Sequence, residues 1–170
     1  MTDVLLALIT FGTSSQNTFT FTPESGVKIV SGLLGADTFF FDNSGTASTW
    51  NVKLNAIIDF GTGGRNTAAN SGDVLQFSHA DLAALTGYAN ASLAYTIPTG
   101  SGSTTLTADS NIAQGAGVIT ATGTDTQFIY NSTTGAVYYD ADGSGSGAAV
   151  QVAIIATGLT LTATDFLIVA

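Results

Sequence analysis

Large apolar residues and turn residues recur at one interval near the start of the chain. Asn17, Gly26 and Gly35 are nine residues apart, and so are Phe21, Val30 and Phe39. In the last copy Asp37 sits between Gly35 and Phe39, so residues 32–40 read G-L-L-G-A-D-T-F-F. A short period of this kind marks a stacked β architecture, in which glycines allow tight turns and the large residue of each copy fills the interior. The two earlier copies carry Phe19 and Lys28 where the last has Asp37, so only the last turn supplies an acid.

β signals continue along the rest of the chain. Phe19-Thr20-Phe21-Thr22 alternates with period two, Val27 to Val30 does so more loosely, and clusters of Gly, Asn, Asp and Ser punctuate the runs. One helix is expected over about 79–86. Ser78 caps it with Asp81 three residues on, Leu82 and Leu85 give it an apolar face, and Gly87 ends it. Residues 99–117 are rich in Gly, Ser and Thr and read as a long loop or as edge strands. The expected fold is all-β: a short parallel β-roll capped by antiparallel strands and a C-terminal hairpin. It is one domain, with a roll-like part over 1–60, a cap over 61–122 and a terminal hairpin and tail over 123–170.

Composition narrows the function. Lys28, Lys53 and Arg65 are the only cations against 12 acids, for a net charge of -9. Phosphate backbones and anionic membrane surfaces therefore find no partner here, and nucleic-acid binding is excluded. No run approaches the roughly 18 apolar residues that cross a bilayer, so no membrane insertion is expected. There is no Cys, which removes disulfides and thiolate metal sites, and a single His79 rules out a multi-histidine centre. Eleven acids are Asp and one, Glu24, is Glu. That skew fits acids placed in turns, where Asp caps amides or binds Ca²⁺, rather than on helices. Val4 to Ile9 is apolar but follows an acid and no cation, so it reads as a first strand and not as a secretory signal.

The Gly32–Phe40 segment matches four of the five defined positions of the RTX nonapeptide, G-G-x-G-x-D-x-U-x with U a large apolar residue. Gly35 to Phe41 resembles the strand that closes the β-roll in RTX proteins. Ile57-Ile58-Asp59-Phe60-Gly61 and Gly72-Asp73-Val74-Leu75-Gln76-Phe77-Ser78 resemble the pattern following the repeats in serralysin-type C-terminal domains, with an insertion from Thr62 to Ser71. Gln127 to Asn131, Thr134 to Val150 and Leu161 to Ala170 resemble the terminal hairpin and tail of proteins exported by type I systems. The resemblance implies Ca²⁺ bound in the roll, and export through the tail Asp165-Phe166-Leu167-Ile168-Val169 without a cleaved N-terminal signal. It makes Asp37, Asp59 and Asp73 the leading Ca²⁺ candidates.

Asp140-x-Asp142-Gly143-Ser144 is the one discrete chemical motif. Alternating acids beside Gly supply oxygen ligands to a hard cation, as in the first half of an EF-hand loop, although no Glu follows at the distal position. The other reading of Tyr139 to Gly147 is a hairpin turn with Asp capping amides. No G-x-S-x-G, Walker loop or H-E-x-x-H occurs, and His79 reads as an exposed surface residue, so no enzyme is expected. The expected function is a secreted structural protein that associates with itself into a filament, matrix or surface layer. The alternative is a Ca²⁺-stabilised adhesion module for an extracellular polysaccharide or a protein partner.

Overall fold

Stacked positions lie twenty residues apart in the first two turns of this fold, as Phe19 and Phe39 do, and thirty-six apart in the next, as Phe39 and Leu75 do. The computed structural model describes residues 8–23, 28–43, 56–61, 72–85, 95–96, 99–125 and 127–170. Residues 4–7 of the apolar N-terminal run, the 62–71 insertion, Gly87, Lys53 and Arg65 lie outside them. The strands in chain order are β1 Leu8–Phe11, β2 Thr18–Phe21, β3 Lys28–Ser31, β4 Thr38–Phe41, β5 Ala56–Ile57 and β6 Val74–Ser78. After helix α1 (His79–Ala84) come β7 Ser103–Thr105, β8 Ile112–Gly115, β9 Phe128–Asn131, β10 Ala136–Tyr139, β11 Val150–Ile154 and β12 Phe166–Val169.

Two mixed sheets result, ordered β1-β3-β5-β11-β10-β9-β8 and β2-β4-β6-β12-β7. The chain is a parallel roll, because β1, β3 and β5 stack in one sheet while β2, β4 and β6 stack in the other. Phe21 aligns with Phe41 and Phe19 with Phe39, each pair twenty residues apart. The nine-residue alignment had related Phe21 and Phe39 to Val30, which lies in the opposite sheet. From β1 to β4 each half-turn is ten residues long, so the nonapeptide register does not apply there. The roll also runs past residue 60, because β6 completes a third rung. Gly35 to Phe41 accordingly forms part of the second rung and does not close the roll.

A fourth rung comes from the C-terminus. Strand β11 pairs in parallel with β5, and β12 in parallel with β6. The hairpin and the tail thus complete the roll, while the strands between β6 and β11 form a mixed extension in which β8 pairs in parallel with β9. Within it β9, β10 and β11 pair antiparallel in turn, and β7 and β8 lie at sheet edges, as the 99–117 composition allowed.

Alternation along each strand puts one face inward. β4 and β6 bury Phe39, Phe41, Leu75 and Phe77 and leave Thr38, Phe40, Val74 and Gln76 half-buried. The inward rings stack across rungs, Phe21 on Phe41 at 4.7 Å and Phe41 on Phe77 at 5.3 Å. The row continues through Phe128 to Phe166, whose centroids are 4.5 Å apart. Among the described residues one continuous core therefore joins the rungs to the extension. Helix α1 starts where expected, with the Ser78 hydroxyl accepting from the Asp81 amide, but it ends at Ala84. His79 is half-buried rather than exposed, because Tyr95 packs edge-on and its hydroxyl bonds Nδ1 at 3.1 Å.

Candidate functional site

Asp37, Asp59 and Asp73 all lie in the turns of the roll, and their carboxylates face main-chain amides. Asp37 Oδ1 accepts from the Asn17 amide of the rung before, and Asp73 Oδ1 accepts from the Asp37 amide, both at 2.8 Å. Equivalent positions in rungs one, two and three are therefore linked by a ladder of carboxylate-to-amide bonds. Asp73 Oδ2 takes the Gly61 amide at 2.9 Å. Asp59 accepts from the Ser31 hydroxyl and from the Gly32 and Leu33 amides of the second-rung turn. That clamp holds Leu33 at φ 67°, a left-handed conformation that a branched side chain adopts only under constraint.

One oxygen is left over. Asp37 is fully buried and its Oδ2 has no hydrogen-bond partner among the described residues. The first rung shows why. There Asn17 Oδ1 bonds the Thr13 amide of its own turn at 2.8 Å, whereas in the second rung the corresponding Leu33 amide is already taken by Asp59. A glycine at position 32 makes room for the carboxylate, since a Cβ there would lie 2.2 Å from Oδ2. Burial raises the pKa of Asp37 and carries that of Asp73 to about 6, the neighbouring carboxylates adding to both shifts.

These turns do not fit a Ca²⁺ ion as the resemblance implied. Ca²⁺ takes six to eight oxygens, but five of the six carboxylate oxygens here already hold amides or a hydroxyl. No group of three or more acidic or imidazole side chains is arranged to hold a metal among the described residues. The acids do by hydrogen bonding what a bound ion would do in a calcium roll: they fix one turn against the next. Asp81, unremarked in the sequence except as a capping residue, plays the same part at another turn, where its Oδ2 accepts from the buried Asn43 amide at 2.9 Å.

Asp140 and Asp142 differ. They sit in the turn of the β10–β11 hairpin, which the sequence read either as a turn or as a cation site, and they are hydrogen-bonded to each other. Asp142 Oδ2 accepts from the Gly147 amide at 2.9 Å, which holds its pKa below the usual carboxylate range. Asp140 is 5% exposed, and its Oδ1 has no partner among the described residues. Burial and the hydrogen bond to Asp142 carry its pKa up to about 6. Both carboxyls line a cavity of about 350 Å³ with Leu85, Tyr139, Ser146 and Val150.

The chain matches no family model, no curated protein and no solved structure.

Proposed function

We propose that this chain is a secreted, non-enzymatic structural protein of RTX-like character that self-associates outside the cell by adding one roll to the end of another. The observation behind this reading is that, among the described residues, the outermost strands of both sheets have a free edge. Among the described residues β1 and β2 have a neighbour on one side only, and so do β8 and β7 at the far end. Outer strands of this kind present unpaired amides and carbonyls to any strand that meets them. Strand β1 also exposes Ile9 at 54% and Phe11 at 63%. Joining unlike ends is a head-to-tail contact, which repeats from subunit to subunit and yields a filament wherever the rotation between subunits does not close a ring.

The surface suits such packing. With 9% charged residues and 27 Thr, subunits approach through backbone and hydroxyl contacts with few ion pairs to desolvate. The tail from Asp165 to Val169, proposed as the export signal, is also β12, buried through Phe166 and Ile168. Export and folding would then use the same residues in succession.

Sedimentation velocity tests the reading. The full chain is expected to give large, open-ended species that grow with concentration, and the paired substitution Ile9→Asp with Phe11→Asp to give a compact, folded monomer. A monomer for the unsubstituted chain at every concentration sinks self-association.

A further inference from the structure

Five of the six large apolar side chains that stand exposed among the described residues gather on one face of the roll. Thr10 pairs with the buried Val30, and Val30 with the buried Ile57, so this row points inward. Alternation then turns Ile9, Phe11 and Ile58 outward. Strand pairing sets Ile9 beside Ile29 and Ile29 beside Ala56, which in turn pairs with Ile154. One pleat along, Phe11 pairs with Ser31, and the Ile58 amide donates to the Val30 carbonyl, which brings Ile58 to the same level. Leu33 and Leu34 follow at the turn after β3, where Asp59, the neighbour of Ile58, holds the Leu33 amide. The other sheet differs. Its outward positions begin with Thr18, Thr20 and Thr38, and among the described residues none of its large apolar side chains is exposed.

We propose that this outer face of β1, β3 and β5 docks on the same face of a second copy of the chain, as a two-fold pair of sheets packed back to back. The size of the patch carries the choice of occupant. Ile9, Phe11, Leu33, Leu34 and Ile58 are each between 45% and 63% exposed. Together they present roughly 500 Å² of apolar surface, the upper end of what a monomer leaves bare. Two such patches, with the half-buried Ile29 and Ile154 beside them, reach the roughly 1,000 Å² that a specific pairing needs. Charge points the same way. The chain carries -9, so copies approach best where ionised groups are fewest. Asp59, at the margin, already accepts from the Ser31 hydroxyl and two amides. Lys28 reaches instead to the Thr20 carbonyl and over the Phe21 ring, toward the other sheet. The same net charge repels an anionic lipid surface, and the uncharged patch offers nothing to pair with a charged partner.

Sheets packed face to face lie about 10 Å apart with their side chains interdigitated, a gap that branched and aromatic residues fill. The contact is isologous and closes after two copies. End joining uses main-chain groups along a strand edge, whereas this contact uses side chains on the flat of the sheet. In a filament the patches of successive rolls recur along its side, so the two contacts together give paired filaments. The inference shares with the proposed function only its partner, a second copy, and stands whether or not the ends join.

Sedimentation velocity, with mass per length by unstained electron microscopy where filaments form, tests it on the full chain and on Leu34→Asp combined with Ile58→Asp. Both positions lie off β1, whereas Ile9 and Phe11 stand at the strand edge and on the face at once. The unsubstituted chain is expected to have a dimer as its smallest associated unit, with a Kd of roughly 10 μM, the weak end for an interface of this size. The paired variant is expected to stay folded by circular dichroism and to dimerise at least about a hundredfold more weakly. Any filaments it forms should have half the mass per length. Ile119→Asp, which adds the same charge at a 57% exposed residue beyond β8, should leave the dimer intact. Dimers without filaments support the face contact and remove end joining. Equal dimers, or filaments of equal mass per length, in the unsubstituted chain and the paired variant overturn the face contact and leave end joining standing. No dimer up to roughly 500 μM, well beyond the expected range, overturns it too, and so does equal weakening by Ile119→Asp, which would mark a general effect of charge.

Discussion

Lowering the pH from 7.5 to 4.5 in metal-stripped buffer should stabilise this protein. Asp73 and Asp140 both have pKa values raised from 3.8 to about 6, in each case chiefly by burial. A carboxyl whose pKa is higher folded than unfolded binds its proton more tightly in the folded state. Its contribution is therefore fully present below the unfolded value near 3.8 and is lost as the pH rises through about 6. Each shift is about two units, worth at most ~3 kcal/mol. Solvent screening at these turns reduces that to about 1–2 kcal/mol apiece. Asp37, Asp81 and Asp165 shift in the same direction, also through burial, while Asp142 shifts the other way but is held by an exposed turn. The two larger shifts together give about 2–4 kcal/mol between pH 7.5 and 4.5, which for a chain of this size is roughly 5–15 °C in Tm. Thermal melts followed by circular dichroism at half-unit pH steps read this directly. A Tm that is flat or falls on acidification refutes the reasoning, because the buried carboxyls would then not be strained by their charge. Asp140→Asn should remove only its own share of the slope.

Two substitutions probe the framework. Phe41→Ala removes a fully buried ring that stacks on both Phe21 and Phe77. It should cost about 4–5 kcal/mol in urea unfolding, the upper end for large-to-small core changes, and a loss under about 2 kcal/mol would contradict the stacked row. Asp59→Ala strips the acceptor from the Ser31 hydroxyl and from two amides and leaves Leu33 unsupported at positive φ. Its expected cost is about 2–4 kcal/mol, partly offset if Asp37 Oδ2 turns to a freed amide. Adding Asp37→Asn should remove that offset, and strictly additive effects would argue against such a rescue.

Strand content and turn chemistry were legible because they are local. Alternation marked β2 and the cap at Ser78 marked α1, and a hairpin at Tyr139 to Gly147 followed from its Asp and Gly content. The repeat length was misjudged because a short window aligns Phe21 with Val30, which face the core from opposite sheets. The correct alignment was also present: F-G-x-x-x-x-N-T-F-T-F over 11–21 against S-G-x-x-x-x-D-T-F-F-F over 31–41. It places Asn17 over Asp37 and Gly12 over Gly32, and so foreshadows the carboxylate ladder. The fourth rung left no such trace, since parallel pairing between distant segments imposes no period on either. Nor does a sequence show which oxygen of Asp37 or Asp140 goes unpaired. That depends on which acid reaches a shared amide first in three dimensions.

The order in which the rungs arise in sequence has a consequence for how the chain folds. Rungs one and two are joined by short turns and close cheaply. Rung four must bring Phe166 beside Leu75 and Ile154 beside Ala56, about ninety residues or more apart. Loop closure of that length raises contact order and slows folding, and until it occurs Phe77 lacks its cover on the C-terminal side. A chain without its last twenty residues would therefore hold a row of aromatic rings open to water, however complete its first three turns. Commitment to the native state waits on the final strand, so the protein remains pliable for as long as that strand is engaged elsewhere.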